Sequence, residues 1–436
     1  MIREELVLAC TSDIAGKLRG KAFPAVQMDK RLKRGIGWTP TNVQITCFDN
    51  IADTPFGALG DLVLIPDPAT LLRIQTDEGP PETLVLGDIR HTDGQPWEFC
   101  TRSILRAALD RLRRVAGLRL RGTFEHEFQF RGQPAQPGTA FSVAGFREWR
   151  AFAETVIATM RANGLPPDTI LREFGPGQFE VTMEPGDDLS IADRAVMLRE
   201  IVHATAAAFG RAVTFVPIRD PQSVGNGVHV HLSLTDAEGR PVTHDAEGRH
   251  ELSRPAAQFV AGILAHLDRI AAITAPSAVS YLRLTPHRWS AAFNNLGFRD
   301  REAAVRICPV SDLSDVPRPR QFHFEFRAAD AAASPHLLLA ALVHAGAQGI
   351  EDALEVPEAT QEDLSLLAED DLRARGLVRL PQSLDEALDR FGDSTHIGSW
   401  FSPAFQDVYH KHKLGELNEV RDMDIAARCA AYERVY

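Results

Sequence analysis

The sequence predicts an α+β protein, with a small β-rich N-terminal domain (residues 1–97) ahead of a larger one (residues 98–436) in which strands and helices alternate. Three observations predict it. Up to Trp97 the chain reads as short strands, such as Val43–Phe48 and Asp61–Pro66, separated by clusters of Pro, Gly and Asp. Beyond Trp97 the apolar residues take a helical period. Ile104, Leu105, Ala108, Leu112 and Val115 mark a helix over Ser103–Val115, and Phe146–Asn163, Ser190–Phe209, Arg254–Ile273 and Pro335–Leu354 read the same way. Between these helices lie four short segments in which aromatic or aliphatic residues alternate with charged ones, the period of a half-buried strand. The acidic stretch Ala359–Asp371 reads as a solvated face or loop.

The four alternating segments carry the chemistry. Phe124-Glu125-His126-Glu127-Phe128-Gln129-Phe130 puts phenylalanines on one face and both glutamates on the other. In Glu173-Phe174-Gly175-Pro176-Gly177-Gln178-Phe179-Glu180 two carboxylates bracket a tight turn. Gly225-Asn226-Gly227-Val228-His229-Val230-His231-Leu232-Ser233 sets two histidines and a serine against Val and Leu, after two glycines that allow a ligand or phosphate to approach the backbone closely. Phe322-His323-Phe324-Glu325-Phe326-Arg327 repeats the first pattern with an arginine. Taken singly, each has a plain reading: an exposed sheet face, an acidic hairpin rim, a satisfied strand histidine, a surface ion pair. Together they place five glutamates and a histidine around one space, where they would repel one another unless cations sat among them.

Carboxylate oxygens with a minority of imidazole suit hard cations such as Mg²⁺ or Mn²⁺. Arg283, Arg299, Arg301 and Arg306 fall between the third and fourth segments. Arginines beside such ions favour phosphate binding over a solvated basic loop. Neither a GxxxxGK[ST] loop nor a dinucleotide-binding glycine pattern occurs, so a nucleotide site would be of another kind.

Composition bounds the rest. A net charge of -12 argues against nucleic-acid binding. Five scattered cysteines (Cys10, Cys47, Cys100, Cys308, Cys429) without a CxxC pair read as reduced thiols. The N-terminus has no signal-peptide pattern and no apolar run approaches the ~20 residues of a membrane span, which leads to the expectation of a cytoplasmic protein with no membrane partner.

At this point the motifs and their order resemble the glutamine synthetase superfamily over nearly the whole chain. The resemblance rests on Lys17-Leu18-Arg19-Gly20-Lys21, Asp61–Asp67, the Glu-x-Glu strand, the Glu…Gly-Gln-x-Glu hairpin, and Phe215-Val216-Pro217 leading into Gly-x-Gly-x-His-x-His-x-Ser. It continues through Ser280–Pro286, Arg301–Pro309 and Glu325-Phe326-Arg327 running into Ala331–Ile350. It implies a β-grasp N-terminal domain and a catalytic domain with a curved antiparallel sheet and flanking helices. It also implies a homo-oligomeric ring, a dodecamer of two hexamers, with active sites between subunits. The implied reaction joins the γ-carboxylate of L-glutamate to an amine through a γ-glutamyl phosphate made from ATP. By position, Glu127, Glu173 and Glu180 match the ligands of one metal, and Glu125, His229 and Glu325 those of a second, with two or three Mg²⁺ or Mn²⁺ ions per site. Arg283 and Arg327, with Glu127 and the Gly225 backbone, match the glutamate site. Arg301 and Arg306 match phosphate-contacting arginines, and His231 and Ser233 match positions near ATP. Arg283, Arg301 and Arg327 are thereby the expected catalytic residues.

Departures from the family pattern concern the nitrogen donor. Trp289 stands where glutamine synthetases carry a flap glutamate, and Gly35-Ile36-Gly37-Trp38-Thr39-Pro40 replaces their Asp-Gly-Ser-Ser stretch. Loss of both carboxylates disfavours ammonium, whereas an indole can hold an alkylammonium by cation–π contact. The expectation is a γ-glutamyl-amine ligase, its acceptor a small organic amine such as methylamine and Trp289 lining the amine pocket. The alternatives are ammonia, a polyamine or an aniline as acceptor, a non-catalytic family member, and Trp289 as plain flap packing. His287 and Glu302 are the candidates to take the amine proton. Val224 and His323 stand where the pattern has asparagine and arginine, and no tyrosine occurs between Tyr281 and Tyr409, which removes the adenylylation site.

Overall fold

A computed structural model describes residues 2–436 apart from Thr54, Asp77, Glu78 and Ser314. Two sheets organise it. The first contains β1 (Leu6–Ser12), β2 (Leu18–Pro24), β3 (Ile36–Trp38), β4 (Leu62–Pro66), β5 (Leu72–Ile74) and β6 (Glu82–His91), in the order β2-β1-β6-β4-β3 with β5 also paired to β6. Its central pair, β1 and β6, is parallel and every other pairing antiparallel, the β-grasp arrangement that was expected. The predicted strand at Val43–Phe48 does not form. Pro40, with its φ preset for a helical turn, opens a 3-10 turn over Pro40–Gln44, and Ile45 then makes only an isolated bridge to Ile51.

The second sheet is built from β7 (Arg119–Phe130), β8 (Pro167–Arg172), β9 (Gln178–Met183), β10 (Gly186–Asp187), β11 (Val213–Thr214), β12 (Val228–Thr235), β13 (Leu296–Phe298), β14 (Val305–Ile307), β15 (Phe324–Ala329) and β16 (Ala359–Thr360). The spatial order is β16-β13-β14-β15-β12-β7-β9-β8, with β10 and β11 on β7. From β14 to β8 the pairing is antiparallel as expected, whereas β13 lies parallel to β14 and β16, so the sheet is mixed at one edge. Ala359–Asp371, read from sequence as loop, thus supplies the edge strand β16.

The alternation in β7 decides which face of the sheet does what. Phe124, Phe128 and Phe130 are fully buried, while Glu125 and Glu127 between them stay partly open on the opposite face. Phe128 stacks on Phe179 of β9 at 5.8 Å and Phe130 on Trp149 at 4.2 Å, joining the sheet to the helix Val143–Ala162. Each such ring contributes roughly 1.5–3 kcal/mol by burial. The five helices expected from periodicity are present at Thr101–Ala116, Val143–Ala162, Leu189–Ala208, Arg254–Thr274 and Pro335–Glu351. Arg254–Thr274 is, by length and composition, apolar enough to cross a membrane, contrary to the expectation that no run comes near that limit. Its apolar faces are instead spent inside the protein, against Pro335–Glu351 and Leu384–Gly392.

Candidate active site

Strand register gathers the site residues on the face away from those helices. Glu127 of β7 lies opposite Glu180 of β9, Glu125 opposite His229 of β12, His231 opposite Glu325 of β15, and Glu325 opposite Arg306 of β14. Five neighbouring strands therefore present one row of polar side chains. They line a cavity of about 750 Å³, joined there by Glu173, Gly225, Arg283, Trp289, Arg301 and Arg327. Of the residues matched to the metal, glutamate and ATP sites, Ser233 alone stands outside it. Farther along β12, its hydroxyl donates to the Arg121 carbonyl at 3.4 Å.

Three side chains that sequence reasoning passed over hold the acidic end in shape. The Gln178 amide donates to Glu127 Oε2 (3.1 Å), the Gly225 carbonyl (2.9 Å) and Asn226 Oδ1 (3.0 Å). Gly227 N–H adds a second donor to Glu127 Oε2 at 2.8 Å. The Arg172 guanidinium donates to the carbonyls of Glu173, Gly175 and Gln178, each at 2.7 Å, so the hairpin carrying Glu173 and Glu180 is wrapped around a buried cation. Gln178 stood within the quoted motif, and its position opening β9 was the signal available.

The glycines before β12 serve a neighbour different from the expected ligand. A Cβ on Gly225 would lie 2.8 Å from Arg283 Cδ, and one on Gly227 2.7 Å from Arg283 Nη2. Both glycines thus make room for the Arg283 side chain, which is only 3 % exposed and packs across the loop. Arg283 Nη2 donates to the Arg327 carbonyl, while Nη1 has no hydrogen-bond partner among the described residues. A buried guanidinium N–H left open beside a cavity calls for an anionic ligand.

Electrostatics divides the carboxylates into two groups. The Glu180 carboxyl is pushed up to about 9, first by burial and then by Glu125, Glu127 and Glu173. Burial, with Glu127 and Glu125, also raises Glu173. Burial opposes ionisation of Glu125 as well, but His229 at 2.5 Å and His231 at 3.4 Å outweigh it and hold that carboxyl well below its ordinary value. Glu325 falls to about 2 against burial, through His229, Arg327, His231 and a 2.8 Å bond from Arg306. Mutual repulsion among Glu125, Glu127, Glu173 and Glu180 is what a divalent cation would relieve, and a set of carboxylate oxygens with one imidazole fits Mg²⁺ or Mn²⁺.

The flap over the cavity is held from below. Trp289 is 61 % exposed at the rim, edge-on to Phe174 with ring centres 5.9 Å apart. Its backbone lies at φ +51° and that of His287 at +62°, a region costly for such side chains. The Glu302 carboxylate holds both residues there, accepting from His287 N (3.2 Å) and Trp289 N (3.1 Å). Arg327 reaches the Trp289 and Arg301 carbonyls, and Arg288 those of Ser223 and Pro221. The structure therefore turns both proton-acceptor candidates away from the catalytic cavity. His287 and Glu302 line a separate cavity of about 720 Å³, where His287 meets Ser365. Trp38 lies buried in the N-terminal sheet beneath Lys21 and does not line the cavity of its own chain.

At the basic end His231, His323 and Cys308 meet. His323 Nε2 is 3.1 Å and Cys308 Sγ 3.9 Å from His231 Nδ1. Cys308 is lowered despite burial by the two histidines, and His231 is raised to about 10, where Cys308 and Glu125 overcome burial.

Comparison with known proteins adds three findings. The family model for the glutamine synthetase N-terminal domain matches residues 2–97, and that for the glutamine synthetase catalytic domain residues 98–429. The γ-glutamylpolyamine synthetase GlnA3 of Streptomyces coelicolor is 31% identical, over 97% of this chain and 92% of its own length. Type-1 glutamine synthetase 1 of Dictyostelium discoideum is 29% identical over 96% and 88%. A crystal structure described as a novel glutamine synthase homolog superposes with a TM-score of 0.92 at 37% identity, covering 100% of this chain and 99% of that one.

Proposed function

The chain belongs to the glutamine synthetase family and is an ATP-dependent ligase; on that premise we propose that it joins the γ-carboxylate of L-glutamate to a small organic amine. Ligases of this family use ATP, divalent metal ions, glutamate and ammonia or an amine. The observation that carries the glutamate assignment is the unpartnered Nη1 of buried Arg283, a residue of the carboxylate-lined cavity wall.

The residues divide the work. Glu127, Glu173 and Glu180 hold one hard ion and Glu125, His229 and Glu325 another. Such ions, when bound, neutralise phosphate oxygens and the charge developing on the transferred group. Arg283 pairs with the substrate α-carboxylate. Arg306, whose Nε has no partner among the described residues, and Arg301 at the rim face the phosphates. Arg327 acts through others by fixing the carbonyls of Trp289 and Arg301. A γ-carboxylate oxygen attacks the γ-phosphorus of ATP and ADP leaves. The amine nitrogen then attacks the acyl carbon, phosphate leaves and the nitrogen loses a proton. His231 packs beside the nucleotide, with Ser233 farther along the same strand. In a ring of subunits, such as the dodecamer expected from the resemblance, a neighbouring subunit would close the cavity, which in this chain is lined by residues 125–327.

Trp289 with Phe174 and Phe141 gives the cavity an aromatic lining, in keeping with an alkylammonium rather than ammonium. A polyamine is the second reading. Its support is the 31% identical relative named for that substrate and the acidic cavity behind the flap, where Asp300 and Glu302 could take a distal ammonium. Initial rates with ammonium, methylamine, ethylamine and putrescine at equal free-base concentration test the assignment. Methylamine or ethylamine should give the highest kcat/KM. Putrescine leading would favour the second reading, and ammonium leading would end the organic-amine assignment.

A further inference from the structure

We propose that His231, Cys308 and His323 form a binding site for Zn²⁺, separate in chemistry from the hard-ion cage, with its fourth position open to the catalytic cavity. All three residues line that cavity, and their ligand atoms lie within 4.8 Å of one another. Four-coordinate zinc, with Zn–N of about 2.05 Å and Zn–S of about 2.3 Å, separates two nitrogens by about 3.3 Å and a nitrogen from sulfur by about 3.6 Å. The separations of 3.1 Å between His323 Nε2 and His231 Nδ1, and 3.9 Å between Cys308 Sγ and His231 Nδ1, are within a few tenths of an ångström of these.

The hydrogen bonds behind the rings aim the lone pairs inward. His323 Nδ1 lies 2.7 Å from the Gln321 carbonyl, an acceptor, so Nδ1 carries the proton and Nε2 presents a lone pair. His231 Nε2 lies 3.4 Å from both Glu125 Oε2 and Glu325 Oε2, which keeps a proton on Nε2 and turns Nδ1 towards the site. At 3.1 Å the two inward nitrogens share a proton in the metal-free protein, and Zn²⁺ would take that proton's place. A carbonyl or carboxylate behind each ligating imidazole is the usual outer support of a zinc site.

The backbone makes the site rigid. His231 lies within β12, Cys308 directly follows β14 and His323 directly precedes β15. Cys308 N–H donates to the His323 carbonyl at 3.2 Å, extending the ladder between the last two strands. Thiolate and imidazole donors select Zn²⁺ over Mg²⁺ or Mn²⁺, which prefer the neighbouring carboxylates. Binding releases the thiol proton and the proton between the two imidazoles to solvent, and Zn²⁺ with one thiolate keeps a net charge of +1. A phosphate oxygen is the natural occupant of the fourth position, a part of the inference that rests on the ligase reading.

Co²⁺ is the probe. The full-length protein, stripped of metal with chelator and then saturated with Mg²⁺, is titrated with Co²⁺. One Co²⁺ per chain should give a near-ultraviolet thiolate-to-cobalt charge-transfer band and the intense d–d bands of four-coordinate cobalt, and Zn²⁺ should abolish both. Cys308→Ser should remove the charge-transfer band. His323→Gln, at a half-buried position, should weaken Co²⁺ binding by more than the ~10–100-fold that loss of an outer partner costs. A weak six-coordinate spectrum without charge transfer, or a charge-transfer band that survives in Cys308→Ser, overturns the site. ATP should shift the d–d bands, and an unchanged spectrum overturns the phosphate contact. The cobalt titration does not depend on turnover. Protein that forms a γ-glutamylamide yet shows no band refutes the zinc site alone, and a band without any product refutes the ligase reading alone.

Discussion

Replacing Glu180 with glutamine separates the cost of the carboxylate cage from its use. Glu180 is opposite Glu127 across the strand pair, and its carboxyl sits near 9 because burial and three neighbouring glutamates oppose its charge. At neutral pH the metal-free protein therefore holds a proton there, and a hard cation must displace it. The folded value lies above the ordinary 4.5, so metal affinity is full above about pH 9 and falls as pH is lowered, about tenfold per unit. Between pH 8 and pH 6, Mg²⁺ should bind about 100-fold more weakly, and calorimetry in buffers of different ionisation enthalpy should register about one proton released per site at pH 7.5. The same displacement acts on stability in the opposite sense. The unfolded chain ionises near 4.5 and the fold does not, so metal-free protein loses roughly 1.4 kcal/mol per pH unit from this group as pH rises from about 4.5 towards 9. At pH 8 that amounts to roughly 5 kcal/mol, which the glutamine removes. In chelator at pH 8, Glu180→Gln should melt several degrees above wild type, by a margin that narrows at pH 6, and Mg²⁺ should no longer raise its midpoint. Mg²⁺ affinity that stays constant from pH 6 to 8, or a glutamine variant no more stable than wild type in chelator at pH 8, would refute the reasoning.

Three further substitutions test the positive end and the flap. Gly227→Ala puts a methyl 2.7 Å from Arg283 Nη2, and should raise the KM for glutamate about tenfold or more by displacing the guanidinium, with the thermal midpoint nearly unchanged. Trp289→Ala should cost alkylamines the ~0.5–2 kcal/mol of a cation–π contact, a roughly 2–30-fold loss in kcat/KM, and leave the ammonium rate nearly unchanged. Equal losses for both donors would reduce the indole to packing. Glu302→Ala frees the N–H groups of His287 and Trp289 from their shared acceptor; kcat should fall at least tenfold while Co²⁺ or Mg²⁺ affinity holds, as expected of a residue that positions the flap.

The parts of this fold that could be read in the sequence are those where one strand declares both its faces. In β7 the alternation of Phe124, Phe128 and Phe130 with Glu125 and Glu127 shows which side enters the core before any partner is known. The five long helices were equally plain from their period. The strand expected at Val43–Phe48 failed because its β-rich composition follows directly on Pro40, whose ring starts a turn that composition alone does not weigh. Gln178, Arg172 and Asn226 were hidden for another reason. Each acts through partners brought together by the hairpin and β12, such as Gln178 with Asn226 48 residues away, and a polar side chain at a strand end (Arg172, Gln178) or in a loop (Asn226) does not by itself declare its burial.

Strand order explains why the clustered motifs could be listed from sequence while the field they make could not. In the chain the site strands follow as β7, β9, β12, β14, β15; in space they run β9-β7-β12-β15-β14. Glu173 beside β9 and Glu180 within it stand at one end. Then come Glu125 and Glu127 on β7, and His229 and His231 on β12. Glu325 and Arg327 follow on β15, with Arg306 on β14 and Arg301 brought over by the flap segment, while Arg283 lies across the loop before β12. Acidic charge thus gives way to basic charge over four strand spacings, about 19 Å. An anion alone would be repelled at the first end and a cation alone at the other. A ligand carrying both, such as a metal-bound polyphosphate beside a carboxylate whose partner is Arg283, matches the whole gradient. On the proposed reading the reaction would lie at the middle of the row, between the low-pKa Glu125 and Glu325, where neither carboxylate has to shed a proton before a cation can settle.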